Sequence, residues 1–170
     1  LAGGENYGFA NGGEGDDLIN ATEANDTRVL SGERGIDRIL GSPGNDNIYG
    51  GADDDFLDGG GGDDKIYGGD GNDEITTVGG NNQLFGDIGN DIITGGSGKD
   101  IIQGGEGDDQ ITGGGGNDII YAGTGKDIVI FSGVKSSYNI SSSIQNLYEI
   151  IYVSGPDGTD TLRGVETIRF

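Results

Sequence analysis

The sequence predicts an all-β fold in which the chain coils into a right-handed solenoid. Residues 32–130 divide without a gap into eleven units of nine residues. The sixth position of the unit is Asp in ten units, and the eighth is Ile, Leu or Val in all eleven. A fixed period of this kind indicates that each unit repeats one small piece of structure.

Each nine-residue unit has a loop half and a strand half, as in GGDGNDEIT (68–76). Glycines at positions one, two and four permit positive φ angles. Positions seven to nine predict a three-residue strand whose middle side chain points to the inside. Two units make one 18-residue coil, so two parallel sheets should face each other. The core we expect is then Ile39, Ile48, Leu57, Ile66, Ile75, Leu84, Ile93, Ile102, Ile111, Ile120 and Val129.

The sixth-position side chains should line the two edges of the solenoid. One edge would carry Asp37, Asp55, Asp73, Asp91, Asp109 and Asp127. The other edge would carry Asp46, Asp64, Asn82, Asp100 and Asp118. A strand spacing of about 4.8 Å would bring successive carboxylates close enough to share an ion. Carboxylates and loop carbonyls in a flexible site favour Ca²⁺ over Mg²⁺.

The predicted core is thin, because each coil buries only two aliphatic side chains. Their burial is too small to offset the conformational entropy of ordering a whole coil, and stacked carboxylates repel one another. A metal that binds only the folded state would supply the missing free energy. We therefore expect the array to be disordered without Ca²⁺ and to fold on binding it.

Composition narrows the classes of function. The 170 residues carry a net charge of −21, which makes cations good partners and nucleic acid or anionic membranes poor ones. The chain has no His and no Cys, which excludes His- or Cys-ligated zinc and the usual catalytic triads. No apolar run is long enough to predict a membrane span. Paired carboxylates such as Asp63 and Asp64 recur in register, which favours metal binding over glycosidase chemistry.

Three regions are expected. Residues 1–31 look like degenerate entry repeats. One unit, GGEGDDLIN (12–20), matches the pattern fully and supplies Asp17. The next segment, 21–31, is two residues longer than a unit, which puts an Asp26 site in doubt. Residues 32–130 are the array itself. Residues 131–170 hold only four of the 39 glycines and predict a C-terminal β cap, with strands over 137–141, 147–154 and 165–170 and a turn over 154–160.

The units resemble the RTX (repeats-in-toxin, haemolysin-type) calcium-binding nonapeptide GGxGxDxUx, in which U is a large aliphatic residue. GGEGDDQIT (104–112) matches at every defined position. The resemblance implies a right-handed parallel β-roll, with Ca²⁺ held between each loop and the loop one coil later. The residues 131–170 also look like the segment that closes such arrays in type I-secreted proteins.

By this resemblance, sixth-position carboxylates and loop carbonyls are the ligands, and the ions form two rows. The side-chain ligands would be Asp17, Asp37, Asp46, Asp55, Asp64, Asp73, Asp91, Asp100, Asp109, Asp118 and Asp127, with weak sites at Asp26 and Asn82. The carbonyls would come from Gly50, Gly51, Gly59, Gly60, Gly62, Gly68, Gly69, Gly71, Gly86, Gly89, Gly95, Gly96, Gly98, Gly104, Gly105, Gly107, Gly113, Gly114 and Gly116.

Some units depart from the pattern. Asn82 lacks a charge and its unit opens with Thr77, so ions shared with this loop should be weak or absent. Asp53 and Asp87 replace glycines at positions four and two, which costs backbone freedom.

The aromatic residues at position nine should stack on the outside of one sheet. This ladder, Tyr49, Tyr67, Phe85 and Tyr121, is either a docking face for a neighbouring domain or a sugar, or ordinary cross-strand stacking.

These observations predict a non-enzymatic calcium-binding module from the C-terminal part of a secreted bacterial protein, located outside the cell or on its surface. Because the chain begins at Leu1, we expect it to be a fragment of a longer protein. Its partners would be calcium ions, the type I secretion machinery and neighbouring domains. The alternatives are an accessory module of a secreted protease, lipase or polysaccharide-modifying enzyme, and a structural segment of a large adhesin.

Overall fold

The computed structural model describes residues 8–23, 28–145 and 148–170, and the side chains of 144–148 are not described. Within these ranges the chain forms eighteen β-strands and one 3₁₀ turn. The strands alternate between two sheets along the array, and each strand pairs in parallel with the strand one coil later. The predicted β-solenoid, with two parallel sheets and an 18-residue coil, is confirmed.

The strands of the two sheets differ in length. The long strands have six residues each: β1 Phe9–Glu14, β3 Val29–Arg34, β5 Asn47–Ala52, β7 Lys65–Asp70, β9 Gln83–Ile88, β11 Ile101–Glu106 and β13 Ile119–Thr124. The short strands have three: β2 Leu18–Asn20, β4 Arg38–Leu40, β6 Phe56–Asp58, β8 Glu74–Thr76, β10 Ile92–Thr94, β12 Gln110–Thr112 and β14 Ile128–Ile130. Only the short strands match the predicted length, because on the long-strand sheet positions one to three of the next unit continue the pairing.

The core lies between the sheets and consists of the position-eight side chains. Ile93, for example, pairs with Ile75 below it and Ile111 above it. All eleven predicted core residues are buried, none more than 1% exposed. The structure extends this column with Ile19 and Leu30 at the entry and with Leu162 at the cap.

The glycines at positions two and four adopt the left-handed backbone that the sequence predicts. Three residues that replace glycine at these positions adopt the same conformation, with φ of 83° at Glu33, 84° at Asp53 and 75° at Asp87, whereas Ser42 and Val78 at position two are not among the residues with positive φ. Position one differs from the expectation, because its glycines are not among the residues with positive φ. Their small size matters for another reason: a Cβ on Gly50 would lie 2.5 Å from Oδ2 of Asp55 and 2.6 Å from the carbonyl oxygen of Gly68.

The last forty residues continue both sheets. Strands β15 Asn139–Gln145, β16 Tyr148–Gly155 and β17 Gly158–Arg163 form an antiparallel meander, which follows a 3₁₀ turn at Lys135–Ser137. Strand β17 then pairs in parallel with β13, and β18 Thr167–Arg169 pairs in parallel with β14. The predicted turn over 154–160 is wrong in extent, because only residues 156 and 157 separate β16 from β17.

The position-nine aromatic residues stack on the outer face of the long-strand sheet. The ring centroids of Tyr49 and Tyr67 lie 5.2 Å apart, and those of Tyr67 and Phe85 lie 4.8 Å apart. Tyr121, beyond the gap at Gln103, packs against the guanidinium of Arg163 at 5.4 Å. The predicted ladder is confirmed as a stacked row for Tyr49, Tyr67 and Phe85.

Candidate metal sites

The sixth-position side chains lie at the two edges of the solenoid, where each strand begins. They form two columns that follow the 18-residue coil, as the sequence predicts. Ten of these carboxylates are no more than 3% exposed: Asp37, Asp46, Asp55, Asp64, Asp73, Asp91, Asp100, Asp109, Asp118 and Asp127. Buried carboxylates require partners, because an unpaired charge is costly in a poorly solvated site.

One oxygen of each carboxylate has such a partner. The backbone N–H of Asp55 donates to Oδ1 of Asp73 at 2.8 Å, and the N–H of Asp73 donates to Oδ1 of Asp91 at 2.9 Å. The same bond recurs along the other edge, from the N–H of Asp100 to Oδ1 of Asp118 at 2.9 Å. Each column is therefore a ladder that fixes the orientation of every carboxylate.

The second carboxylate oxygen is different, because in nine residues it is buried and accepts no hydrogen bond. These Oδ2 atoms belong to Asp37, Asp55, Asp64, Asp73, Asp91, Asp100, Asp109, Asp118 and Asp127. Beside Gly95, the space that a Cβ would fill lies 2.6 Å from Oδ2 of Asp100 and 2.6 Å from the carbonyl oxygen of Gly113. An anionic oxygen that accepts no hydrogen bond and lies near a carbonyl oxygen is a set of ligands that suits a hard cation such as Ca²⁺.

Carbonyl oxygens are a necessary part of any such site. Within the described ranges, no three acidic side chains converge on one point. A cation held between two coils would therefore combine carboxylate oxygens with backbone oxygens of the glycine loops.

In two units the sixth-position atom that corresponds to the unpaired Oδ2 has hydrogen-bond partners within the protein. Oδ2 of Asp46 accepts from the backbone N–H of Ser42 at 2.7 Å and from its hydroxyl at 2.9 Å. At Asn82, the amide nitrogen donates to Oγ1 of Thr77 at 3.0 Å and to the carbonyl oxygen of Gly95 at 3.3 Å. At Asp46 the oxygen that is unpaired in other units therefore accepts two hydrogen bonds, and at Asn82 a donor replaces it.

The entry of the array is described in part. The backbone N–H of Asp17 donates to Oδ1 of Asp37 at 2.8 Å, which places Asp17 in the first column. Asp26 lies outside the described residues. The residue one coil below Asp46 in the hydrogen-bonded ladder is Arg28, whose N–H donates to Oδ1 of Asp46 at 2.7 Å.

Two residues of the cap were missed by the sequence analysis. The N–H of Asp118 donates to Oδ1 of Asp160 at 2.8 Å, and the N–H of Asp127 donates to Oε2 of Glu166 at 2.9 Å. A signal was present, because GTDTLR (158–163) and GVETIR (164–169) both repeat the spacing of glycine, acid and aliphatic residue seen in the array.

Burial raises the pKa of the ladder carboxyls, and repulsion from neighbouring carboxylates adds to the effect. The pKa rises from an ordinary 3.8 to about 7 for Asp64, Asp73 and Asp109. It rises to about 6 for Asp55 and Asp91, whereas the backbone N–H bonds act in the opposite direction. Without a cation, the ionised carboxylates therefore destabilise the fold.

The upward shift of these pKa values predicts that the stability of the metal-free protein depends on pH. A carboxyl with a raised pKa binds its proton more tightly when folded, so its stabilising effect is complete below pH 3.8 and is lost as pH rises through 6 to 7. We expect the β signal in far-UV circular dichroism to increase when calcium-free protein is taken from pH 8 to pH 4. Light scattering separates folding from aggregation near the sequence pI of about 4.1. A β signal that decreases on acidification contradicts the prediction.

Among the described residues no helix is long and apolar enough to cross a membrane.

Comparison with known proteins agrees with the geometry. The sequence model of the RTX calcium-binding nonapeptide repeat matches the chain in four copies, over residues 9–27, 31–66, 67–102 and 94–129. No curated protein sequence is significantly similar to the chain.

Among solved structures, the chain is similar to the AlgE6R3 subunit of the Azotobacter vinelandii mannuronan C5-epimerase, seen in solution. The two are 19% identical with a TM-score of 0.30, and the alignment covers 86% of this chain and 77% of that one. The matched repeats are calcium-binding, and the chain belongs to the RTX calcium-binding nonapeptide repeat family.

Proposed function

We propose that the chain binds Ca²⁺ in two rows, one along each edge of the β-roll. The observation that carries this proposal is the set of nine buried Oδ2 atoms that accept no hydrogen bond. All of them except that of Asp127 lie in the room that the missing Cβ of a position-one glycine leaves, and beside Gly50 and Gly95 a carbonyl oxygen of the next coil lies there too. A divalent cation bound to these oxygens would neutralise the carboxylates and complete their coordination.

The ligands we propose are the sixth-position carboxylates together with the loop carbonyls. The strongest sites should lie where Oδ2 has no other partner, as at Asp73 and Asp91. Sites at Asp46 and Asn82 should be weaker or absent, because Ser42 and Thr77 already supply hydrogen-bond partners there. Asp17 and Asp26 would contribute at the entry, where the repeat is irregular.

Calcium binding would also decide whether the chain is folded. Each coil contributes two buried aliphatic residues, which is too small a core to hold the whole coil in place. The raised pKa values of the ladder carboxyls support the same view, because ionised side chains oppose folding in the absence of a cation. The module is therefore proposed to be unfolded at low free Ca²⁺ and folded at the millimolar concentrations found outside cells.

The test is a Ca²⁺ titration of the calcium-free chain, followed by far-UV circular dichroism and by equilibrium dialysis with radioactive Ca²⁺. We expect a disordered spectrum in chelator, a cooperative gain of β signal on titration and several ions bound per chain. Mg²⁺ at the same ionic strength should fail to fold the chain, because it prefers a small octahedral site. A β spectrum that is unchanged by chelator would refute calcium-dependent folding, and the absence of bound ions would refute the sites themselves.

This behaviour fits a structural module of a secreted bacterial protein rather than a catalytic domain. A chain that stays unfolded in the cytosol can pass through a narrow type I exporter and fold outside the cell. Two contexts remain as candidates: an accessory module of a secreted protease, lipase or polysaccharide-modifying enzyme, and a segment of a surface adhesin. They differ in the domains that accompany the β-roll in the full-length protein, and the sequence of its gene would separate them.

A further inference from the structure

We propose that the cap completes one more calcium site, which is shared between Asp118, in the last array loop on its edge, and Asp160 of strand β17. The two residues are separated by 42 positions in the sequence. This inference rests on the proposed function, because it assumes that the sixth-position carboxylates bind Ca²⁺. It adds a site whose second carboxylate, that of Asp160, lies outside the residues matched by the repeat family.

The segment around Asp160 has the sequence of a repeat. GPDGTDTLR (155–163) carries Gly at positions one and four, Asp at position six and Leu at position eight. Residues 131–154 separate it from the array, so the nine-residue period is interrupted before it. The nine-residue period of the array therefore does not continue into this segment.

The backbone of this segment is placed as one further coil of the array. The N–H of Thr161 donates to the carbonyl oxygen of Asp118 at 2.8 Å, as the N–H of Ile119 does to that of Asp100 at 2.9 Å. Leu162 pairs with Ile120 and is fully buried.

The loop before this strand also follows the pattern of the array. Gly158 has a φ of 131° and forms a parallel bridge with Gly116, whose φ is 140°. The N–H of Thr159 donates to Oδ1 of Asn117 at 2.9 Å, and that of Lys99 donates to Oδ1 of Asn81 at 3.0 Å. From position four to position nine, the cap segment therefore reproduces a repeat.

The two carboxylates are also arranged as in the array. Oδ1 of Asp160 accepts from the N–H of Asp118 at 2.8 Å, the bond that joins Asp100 to Asp118 one coil below. Asp118 is 1% exposed and its Oδ2 has no hydrogen-bond partner, and Asp160 is 2% exposed. A buried carboxylate oxygen that accepts no hydrogen bond and a second buried carboxylate thus lie on successive coils where the array joins the cap.

One feature sets this site apart from those within the array. Gly155, at position one, belongs to the hairpin of β16 and β17, and a Cβ there would meet the ring of Tyr138 rather than a carboxylate. The carbonyl oxygen of Gly155 is therefore not placed beside Gly113 as the carbonyl oxygen of Gly113 is placed beside Gly95. We expect the Asp118–Asp160 site to bind Ca²⁺ more weakly than the inner sites and to fill last.

The test compares the variant D160N with the wild-type chain by equilibrium dialysis with radioactive Ca²⁺. Asn can replace Asp in the ladder, because Oδ1 of Asn82 accepts from the N–H of Asp64 at 2.9 Å. We expect D160N to bind one ion fewer per chain. In saturating Ca²⁺, hydrogen exchange at the amides of Thr161 and Leu162 should become faster while exchange in the middle of the array is unchanged.

Two further variants separate a ligand from a structural residue. D157N removes the same charge from the same hairpin but breaks bonds to Ser132 and Tyr138 instead, so it should loosen the cap and keep the number of ions. D160E retains a carboxylate, as Glu166 does at the equivalent place on the other edge, and should restore the lost ion. Equal ion counts in D160N and wild type, or loss of the ion in D160E as well, would overturn the proposal. A wild-type chain that binds no Ca²⁺ would instead refute the proposed function.

Discussion

Replacing Ile93 by alanine is expected to lower the free energy of unfolding of the calcium-loaded protein by about 2–5 kcal/mol. Ile93 is fully buried, and it packs in a column between Ile75 and Ile111. The strands of these three residues each contribute one aliphatic side chain to the core, so the neighbours of Ile93 cannot close the cavity without moving a strand. Urea unfolding followed by circular dichroism at a fixed millimolar Ca²⁺ concentration measures the effect.

The adjacent residue provides a matched control. Ile92 is the same residue type on the same strand, but it is 49% exposed on the outer face of the short-strand sheet. Ile92→Ala should cost less than about 1 kcal/mol, which reflects strand propensity and partial burial only. Equal losses in the two variants would mean that the position-eight column does not carry the hydrophobic stabilisation.

The second large effect is expected from Gly116→Ala. Gly116 has a φ of 140°, and a Cβ there would overlap the carbonyl group of Gly98, 2.6 Å from its carbon atom. Because the obstacle is the backbone of the coil below, it cannot turn aside as a side chain would. The strained backbone alone costs about 1–3 kcal/mol, and the overlap forces neighbouring coils apart in addition. We expect a lower melting temperature and a higher Ca²⁺ concentration at the folding midpoint.

Gly115→Ala is the control for this substitution. Gly115 precedes Gly116 in the same loop, has no positive φ, and a Cβ there would meet no atom within 4 Å. Its substitution should change stability by no more than about 0.5 kcal/mol. If both variants melt at the wild-type temperature, close stacking of the position-four backbone is not required for the fold.

The repeat made the array predictable because every coil solves the same packing problem. The period placed Ile93 in the core and Asp91 at an edge, and both assignments are confirmed. The alternation of aliphatic and outward-facing residues also predicted the stacking of Tyr67 on Phe85. Such inferences need only local geometry and the coil of two units, which neighbouring units impose on one another.

The details within one loop were less predictable. Position-one glycines were expected to need positive φ, whereas the structure shows that they leave room for Oδ2 of the following Asp and for the next carbonyl. Oδ1 accepts a hydrogen bond from a backbone N–H and Oδ2 does not, and this difference depends on the relative position of two coils. The Ser42–Asp46 and Thr77–Asn82 hydrogen bonds likewise become visible only in three dimensions.

The strand pairing of the cap was not predicted from the sequence. Its β character was predicted, but the strand Gly158–Arg163 was assigned in part to a turn because SGPDGTD has a strong turn composition. The structure pairs this strand with β13, across an insertion that interrupts the repeat. Pairing between distant segments is decided by which edge of the sheet is open, and local composition does not contain that information.

The sequence by itself determined the class of fold, the core column, the two rows of carboxylates and the kind of ion they suit. It could do so because a strict period of nine residues repeats one local geometry, and each consequence follows from a single unit. Three-dimensional contacts were needed to show which oxygen of each carboxylate accepts no hydrogen bond, why position one favours glycine, and how Asp160 joins the ladder. Those features depend on contacts between residues that are one or more coils apart, which the sequence of a single unit does not specify.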